Sequence, residues 1–308
     1  MRAAIAGLLA AALLSGCGLG AGDAVGGVTV IVTRDFGSRA LPGSPAAIDA
    51  PGSETAMRAL QRRFKVTTKY GGGFVQSIGG LSGGRDGGRP VDWFYYVNGV
   101  EAPKGAADTA LHRGDVTWWD RHDWGTAQRV PAVVGAFPEP FVHGIDGQRF
   151  PARVECATGY DASCKVVERK LADEGVIAGE AALGTRSGDE LVRVVVGPWP
   201  EAKTDFTLRT IARGPAASGV FAKLSDDGRS IGVLDPRGRV VRTLGPGSGL
   251  IAATAAKDGP PVWLVTGTDA AGVAMAANAM TTDALRGRFA VALSDDVPIA
   301  LPQVGAPG

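Results

Sequence analysis

The stretch from Tyr70 to Trp124, YGGGFVQSIGGLSGGRDGGRPVDWFYYVNGVEAPKGAADTALHRGDVTWWDRHDW, decides how this chain folds. It holds four of the six tryptophans and three of the four tyrosines, so the β-forming residues concentrate here. Asp92 to Val97 is an aromatic and β-branched run stopped by Asn98-Gly99, the strongest short hairpin signal. Val116 to Trp119 is a second such run, entered through the turn Arg113-Gly114-Asp115. Pro103, Gly105 and Asp108 punctuate the loop between them. Upstream, VTVIVT (28–33) reads as a strand inside a sheet. After a proline- and glycine-broken loop, Ser53 reads as a helix N-cap with Glu54 in the first turn. Met57, Leu60 and Phe64 then fall on one helical face. Residues 28–125 therefore predict a small α+β unit, an antiparallel sheet with one helix on one face.

Three segments of this unit also carry a resemblance. FVQSIGGLSGG (74–84), then Trp93 to Tyr96, then Gly105 to Ala107 ahead of Gly114-Asp115, resemble the C-terminal β domain of transcobalamin and intrinsic factor. The similarity spans about a third of the chain. It implies that Gln76, Ser77, Ile78, Gly80 and Leu81 lie near a ligand, with backbone groups bonded to the amide side chains of a corrin. In that family the domain covers one face of cobalamin and a helical barrel holds the other. No helical-barrel pattern follows here.

The 32 basic and 31 acidic side chains nearly cancel, which argues against a nucleic-acid partner, since phosphates demand a basic excess. A hydrophobic content of 45% with 20% charge supports a buried core rather than disorder. Arg2 followed by an apolar run to Leu14 is too short to span a bilayer and reads as a leader. It ends in Leu14-Ser15-Gly16-Cys17, which resembles a bacterial lipobox. Residues 1–17 are thus expected to be a lipoprotein signal peptide, with Cys17 lipidated and the chain exported to the outer face of the cell membrane. An ordinary signal peptide with an incidental cysteine is the alternative. Residues 18–27, rich in glycine, predict a flexible tether. Setting Cys17 aside leaves Cys156 and Cys164, an even pair expected to form a disulfide in an oxidising compartment.

Residues 126–149, with several prolines, read as a linker. Residues 150–308 then alternate strands with helices, which predicts an α/β unit with a mostly parallel sheet. Strands are expected at Ala152–Cys156, Leu191–Val196, Val220–Leu224, Ser230–Leu234, Val262–Val265 and Phe289–Leu293. Helices are expected at Ser163–Glu174, Ala202–Ala212 and Ala270–Met280.

Chemistry-bearing residues are few. Tyr70, Phe74, Trp93, Tyr95, Trp118 and Trp124 are candidates for an apolar surface that takes a flat ligand. Strand alternation puts Trp93 and Tyr95 on one sheet face and Phe94 and Tyr96 on the other; one face is core, and we assign Trp93 and Tyr95 to the ligand. The glycine clusters 71–73 and 79–88 lack the strand–loop–helix context of a phosphate loop and read as hairpin loops. His122, between Asp120 and Asp123, reads as a solvated strand end; no second histidine has ligand spacing, so no metal site is expected. Gly197-Pro198 and Gly267-Thr268-Asp269 are strand exits that would flank a crevice, with Asp269 a helix N-cap. No Ser-His-Asp set or paired catalytic carboxylates can be placed by spacing. The expectation is a noncovalent ligand binder, cobalamin being the ligand implied by the resemblance, that delivers to or associates with a membrane transporter. A structural or adhesion module and an enzyme acting through the α/β unit are the alternatives.

Overall fold

The computed structural model describes residues 24–51, 54–186, 190–257 and 259–305. Cys17, the leader and the tether up to Asp23 lie outside these residues, as does Ser53.

The VTVIVT run forms the middle of β1 (Ala24–Arg34), so Ala24–Gly27 belong to a strand rather than to the tether. β2 (Arg39–Ala40) and β3 (Ala46–Pro51) follow, then helix α1 (Ala56–Arg63). Thr55 caps α1 by accepting the Arg58 amide at 3.3 Å, two residues beyond the expected cap. Met57 and Leu60 are buried beneath it. Next come β4 (Val66–Lys69), β5 (Phe74–Ile78), β6 (Leu81–Ser82) and β7 (Gly84–Asp86). The aromatic run is β8 (Arg89–Val97), followed by β9 (Val100–Glu101) and β10 (Val116–Asp123). Asn98 (φ +52°) and Gly99 (φ +77°) make the two-residue turn between β8 and β9, both left-handed as a type I′ turn requires.

The main sheet runs β2-β1-β10-β8-β7, with β3 also on β1 and β9 also on β8; β4, β5 and β6 form a separate three-stranded sheet. The expected antiparallel sheet with one helix is present, with one exception at its centre. β1 and β10 are parallel, pairing Ile31 with Trp118 and Val32 with Trp119. Parallel neighbours are normally covered on both faces, and β10 is buried from Thr117 to Asp123.

The second unit begins with β11 (Ala152–Cys156), α2 (Asp161–Asp173), β12 (Gly179–Ala182) and β13 (Val192–Val196). α3 (Trp199–Ala202), a 3-10 turn at Leu208–Arg213 and α4 (Pro215–Ser218) follow. The helix expected over Ala202–Ala212 is broken here: Asp205 accepts the Thr207 and Leu208 amides at 2.8 and 2.9 Å and starts a new turn. β14 (Ala222–Leu224), β15 (Ile231–Leu234) and β16 (Val240–Leu244) form a meander. Then come β17 (Gly249–Thr254), β18 (Val262–Gly267), α5 (Ala270–Asn278), α6 (Thr282–Leu285), β19 (Ala290–Ser294) and β20 (Val297–Leu301). The large sheet is ordered β12-β11-β13-β18-β17-β19-β20. Its first four strands are parallel and the remaining pairings antiparallel, so the sheet is mixed with a parallel half.

One side of this sheet packs on α2 and α5 around Val154, Val194, Val196 and Trp263. The other side shares its core with the first unit: Phe36, Tyr96 and Trp118 pack in one cluster with Phe221, Leu264 and Phe289. The middle of the segment expected as a linker, 126–149, packs into this seam from Val130 to Phe141, while 146–149 at its end are exposed. Val130 and Val133 enter the shared core, and Val134, Phe137 and Phe141 enter the cluster under α2 and α5. Its valines bond both units, Val133 to Gly99 at 2.9 Å and Val134 to Phe289 at 3.1 Å. α1 covers a third cluster, containing Val30, Leu60, Ile78, Trp93 and Trp119.

Candidate functional site

Both faces of the aromatic strands are used in packing. Trp93 and Trp119 turn toward α1; Tyr95 stacks on Trp119 with ring centroids 4.5 Å apart. The Trp93 indole donates to the Leu81 carbonyl at 3.0 Å, and the Tyr95 hydroxyl bonds Lys104 O and Thr109 Oγ1 at 2.6 and 2.8 Å. On the opposite face Tyr96 and Trp118 meet Phe289 of the second unit at 5.6 and 5.2 Å.

His122 lies in that seam, 2% exposed, and is not the solvated strand end expected from its charged neighbours. The second unit covers the face of β10 that carries it. Its ring is sandwiched between Phe36 and Phe94, each centroid 4.5 Å away. Asp120, wholly buried, accepts from His122 Nδ1 at 2.9 Å, from the Phe36 and Gly37 amides at 3.0 and 2.8 Å, and from Thr33 Oγ1 at 2.5 Å. Thr33 in turn accepts the Trp118 indole N–H at 2.7 Å. Asp35 and Phe36, both at φ +58°, hold an unusual left-handed turn that these bonds to Asp120 fix. The cluster is a satisfied polar network that orients Phe36 into the shared core. Among the described residues no group of three or more His, Cys, Asp or Glu could hold a metal ion.

The segment expected to face a ligand lies on the three-stranded sheet. Ser77 and Ile78 point inward, with Ser77 Oγ 2.6 Å from Thr67 Oγ1. Gly79 and Gly80 form the exposed turn between β5 and β6 at φ +58° and +86°, and Gln76 and Leu81 are half-buried beside it. The Gln76 carboxamide makes a long 3.4 Å bond to the Gly83 carbonyl. At the other end of β5, Tyr70 is 87% exposed and Phe74 36%, their rings edge-to-face at 6.2 Å. The structure thus brings Tyr70, Phe74 and Gln76 together on one exposed hairpin and places Trp93 and Tyr95 behind it. The glycine run 79–88 supplies hairpin turns, as its context implied.

In the second unit Cys156 and Cys164 are disulfide-bonded, joining the end of β11 to the first turns of α2. Asp269 caps α5 through the Gly272 amide at 2.8 Å, and its other oxygen accepts the Gly247 amide at 2.7 Å. Gly267 is pressed against α5, where a Cβ would meet the Gly272 backbone at 2.3 Å. The strand exits at Gly197 and Gly267 are adjacent, the Gly197 amide donating to Val265 O at 3.1 Å. Sequence reasoning passed over Arg153, Glu155 and Arg193, which form an ion-pair cluster on the large sheet. Their signal was present: charges at alternate positions of ARVEC and VRVVV, strands whose other positions are apolar.

No curated protein sequence matches the chain. Among solved structures it is similar to a protein from Ruminococcus gnavus ATCC 29149 described provisionally as metal binding, at 12% identity and a TM-score of 0.24. That similarity covers 32% of this chain and 97% of the other. Residues 53–123, the part of the first unit that holds α1 and the aromatic strands, match the family model described as a domain of unknown function, DUF4430.

Proposed function

We propose that this protein is a ligand-binding protein of the cell envelope that takes a flat, amide-edged molecule of the corrinoid class against the β4–β5–β6 hairpins. The observation that carries this reading is the exposed Tyr70–Phe74 ring pair, formed between the turn before β5 and the first residue of β5, the strand that leads through Gln76 to the Gly79–Gly80 turn. A corrin is a broad plate with an apolar face and amide arms. Rings can pack on the plate, while the exposed turn and the weakly held Gln76 amide offer polar groups to the arms. A one-sided platform leaves much of the ligand in water, so the affinity expected is modest and a membrane transporter would complete the enclosure. Anchoring through lipidated Cys17 belongs to the same proposal; Cys17→Ala should abolish lipid labelling, and detergent-requiring membrane attachment in that variant would exclude it.

The test is equilibrium dialysis of the full chain with cobalamin, read by visible absorbance. Saturable binding is expected, weakened severalfold by Tyr70→Ser or Phe74→Ser at unchanged thermal midpoint, since both side chains are exposed. Absence of saturation at millimolar ligand, or undiminished binding by both variants, overturns the corrinoid reading. A second reading, a rigid surface module without a small ligand, is favoured by the shared core that locks the two units together.

A further inference from the structure

A parallel sheet covered on both sides reads as apolar on both sides. The parallel half of the large sheet departs from this. Val154, Cys156, Val192, Val194 and Val196 fill the face under α2 and α5. Arg153, Glu155 and Arg193 occupy alternate positions of the same two strands and so turn to the opposite face. There the segment carrying α3 and the 3-10 turn packs over Val195, Val262 and Leu264. Beside it the described residues leave a cleft of ≈ 800 Å³, lined by Glu155, Arg193, Asp205, Phe206 and Lys257 among others.

We propose that this cleft binds an aromatic carboxylate, independently of the hairpin described above. The two acids in it are committed to the protein. Glu155, 1% exposed, accepts Arg153 Nε at 3.1 Å on one oxygen and Arg193 Nη1 at 3.2 Å on the other. Asp205 accepts Arg193 Nη1 at 2.7 Å, and its second oxygen takes the two amides that start the 3-10 turn. These acids therefore act as a rigid bracket for Arg193, leaving its Nε and Nη2 without a hydrogen bond among the described residues. Lys257 lines the same cleft and makes no ion pair among the described residues. Because Glu155 and Asp205 are already spent on arginine and backbone donors, the donors left to a ligand are those of Arg193 and Lys257, and donors select an anion. A guanidinium fixed in plane suits a carboxylate in particular.

The second recognition element is Phe206, 68% exposed at the cleft. The Arg209 guanidinium sits 4.5 Å from its ring centre, which props the ring rather than hiding it. A propped ring beside the donors left on Arg193 and Lys257 suits a ligand with a flat apolar body and one carboxylate.

The experiment is calorimetric titration of the full chain with 2-naphthoate, with the neutral 2-naphthylmethanol and with acetate. 2-Naphthoate should saturate, and each of the other two should bind at least about tenfold more weakly, the loss of one charge-assisted bond or of the ring contact. Lys257→Gln and Phe206→Ser, both at exposed positions, should keep the thermal midpoint and each lower the affinity for 2-naphthoate by severalfold to tenfold. The proposal is overturned if 2-naphthoate fails to saturate at millimolar concentration, if it binds no better than the alcohol, or if either variant retains the parental affinity. The charged face would then be an ion-pair network that only ties β11, β13 and the 3-10 turn together.

Discussion

His122 Nδ1 lies 2.9 Å from Oδ1 of Asp120, inside the seam where the two units meet. Because a carboxylate only accepts, the contact fixes the imidazole with its proton on Nδ1. The same carboxylate holds the Phe36–Gly37 amides, and Phe36 contacts Phe221 and Phe289 of the second unit at 5.2 and 5.3 Å. One buried acid therefore sets both the turn and the ring that fasten the units.

Asp120→Ala should take their shared acceptor from His122, Thr33 and the Phe36 and Gly37 amides and destabilise the chain by about 3 kcal/mol or more. Since the core is continuous across the seam, urea unfolding followed by tryptophan fluorescence and by far-ultraviolet circular dichroism should give one coincident transition in parent and variant. Two separated transitions in the parent would contradict the shared core.

Two glycines with similar backbone angles should respond differently to alanine. Gly37 (φ +80°) would place a Cβ 2.0 Å from the Gly287 carbonyl oxygen and 2.9 Å from the Trp118 ring. Gly80 (φ +86°) has nothing within 4 Å. Gly80→Ala should cost only the left-handed penalty, about 1 kcal/mol, and Gly37→Ala distinctly more, because the seam must open. Equal costs in chemical denaturation would show that the seam yields freely at Gly37.

The disulfide closes a loop eight residues in sequence separation. In the chain-entropy account so short a loop contributes roughly 2–3 kcal/mol. Cys156→Ala with Cys164→Ala should lower the unfolding free energy by about that amount, and free-thiol counting on the parent produced under oxidising conditions should find neither cysteine reactive. Two titratable thiols in the native parent would refute the pairing.

The elements legible in the sequence were those whose signal is local. Asn98-Gly99 needs two left-handed residues, and Asp269 caps α5 by its own side chain, so each could be read from a few residues. The strand pattern of the second unit was visible where β-branched residues repeat, as in Val192–Val196. β17 was not: GLIAAT is alanine-rich, yet all six residues are buried between β18 and β19 by contacts made elsewhere in the chain. Alternation correctly separated Trp93 and Tyr95 from Phe94 and Tyr96, but what covers each face is a long-range fact. The same limit applies to His122, whose charged neighbours suggest solvent, whereas Phe36 and Phe289 come from remote parts of the chain. On the exposed hairpin, Tyr70 and Gln76 were legible as residue types, and their shared surface with Phe74 was not.

Glu101 offers a test of the seam by pH. It lies on β9, its side chain 13% exposed, and it accepts Arg129 Nε at 2.9 Å. Burial pushes its carboxyl above the ordinary carboxylate value, outweighing the bond to Arg129, the charge of Arg129 and the influence of His122, all of which pull it down. Across the interval between the unfolded and folded values the folded chain therefore binds more protons than the unfolded one. Stability falls with pH there: Glu101's contribution is fully present below the unfolded value and is lost as pH rises through the folded one. Glu101→Gln keeps an acceptor for Arg129 and removes the charge that burial penalises. Its stability relative to the parent should rise through that interval and then level off, with a gain on the order of 1 kcal/mol for each unit of upward shift. Urea denaturation of both proteins at closely spaced pH values measures the difference directly. A difference that is flat, or that falls as pH rises, would mean that Glu101 is held ionised by Arg129 and that burial in the seam does not govern it.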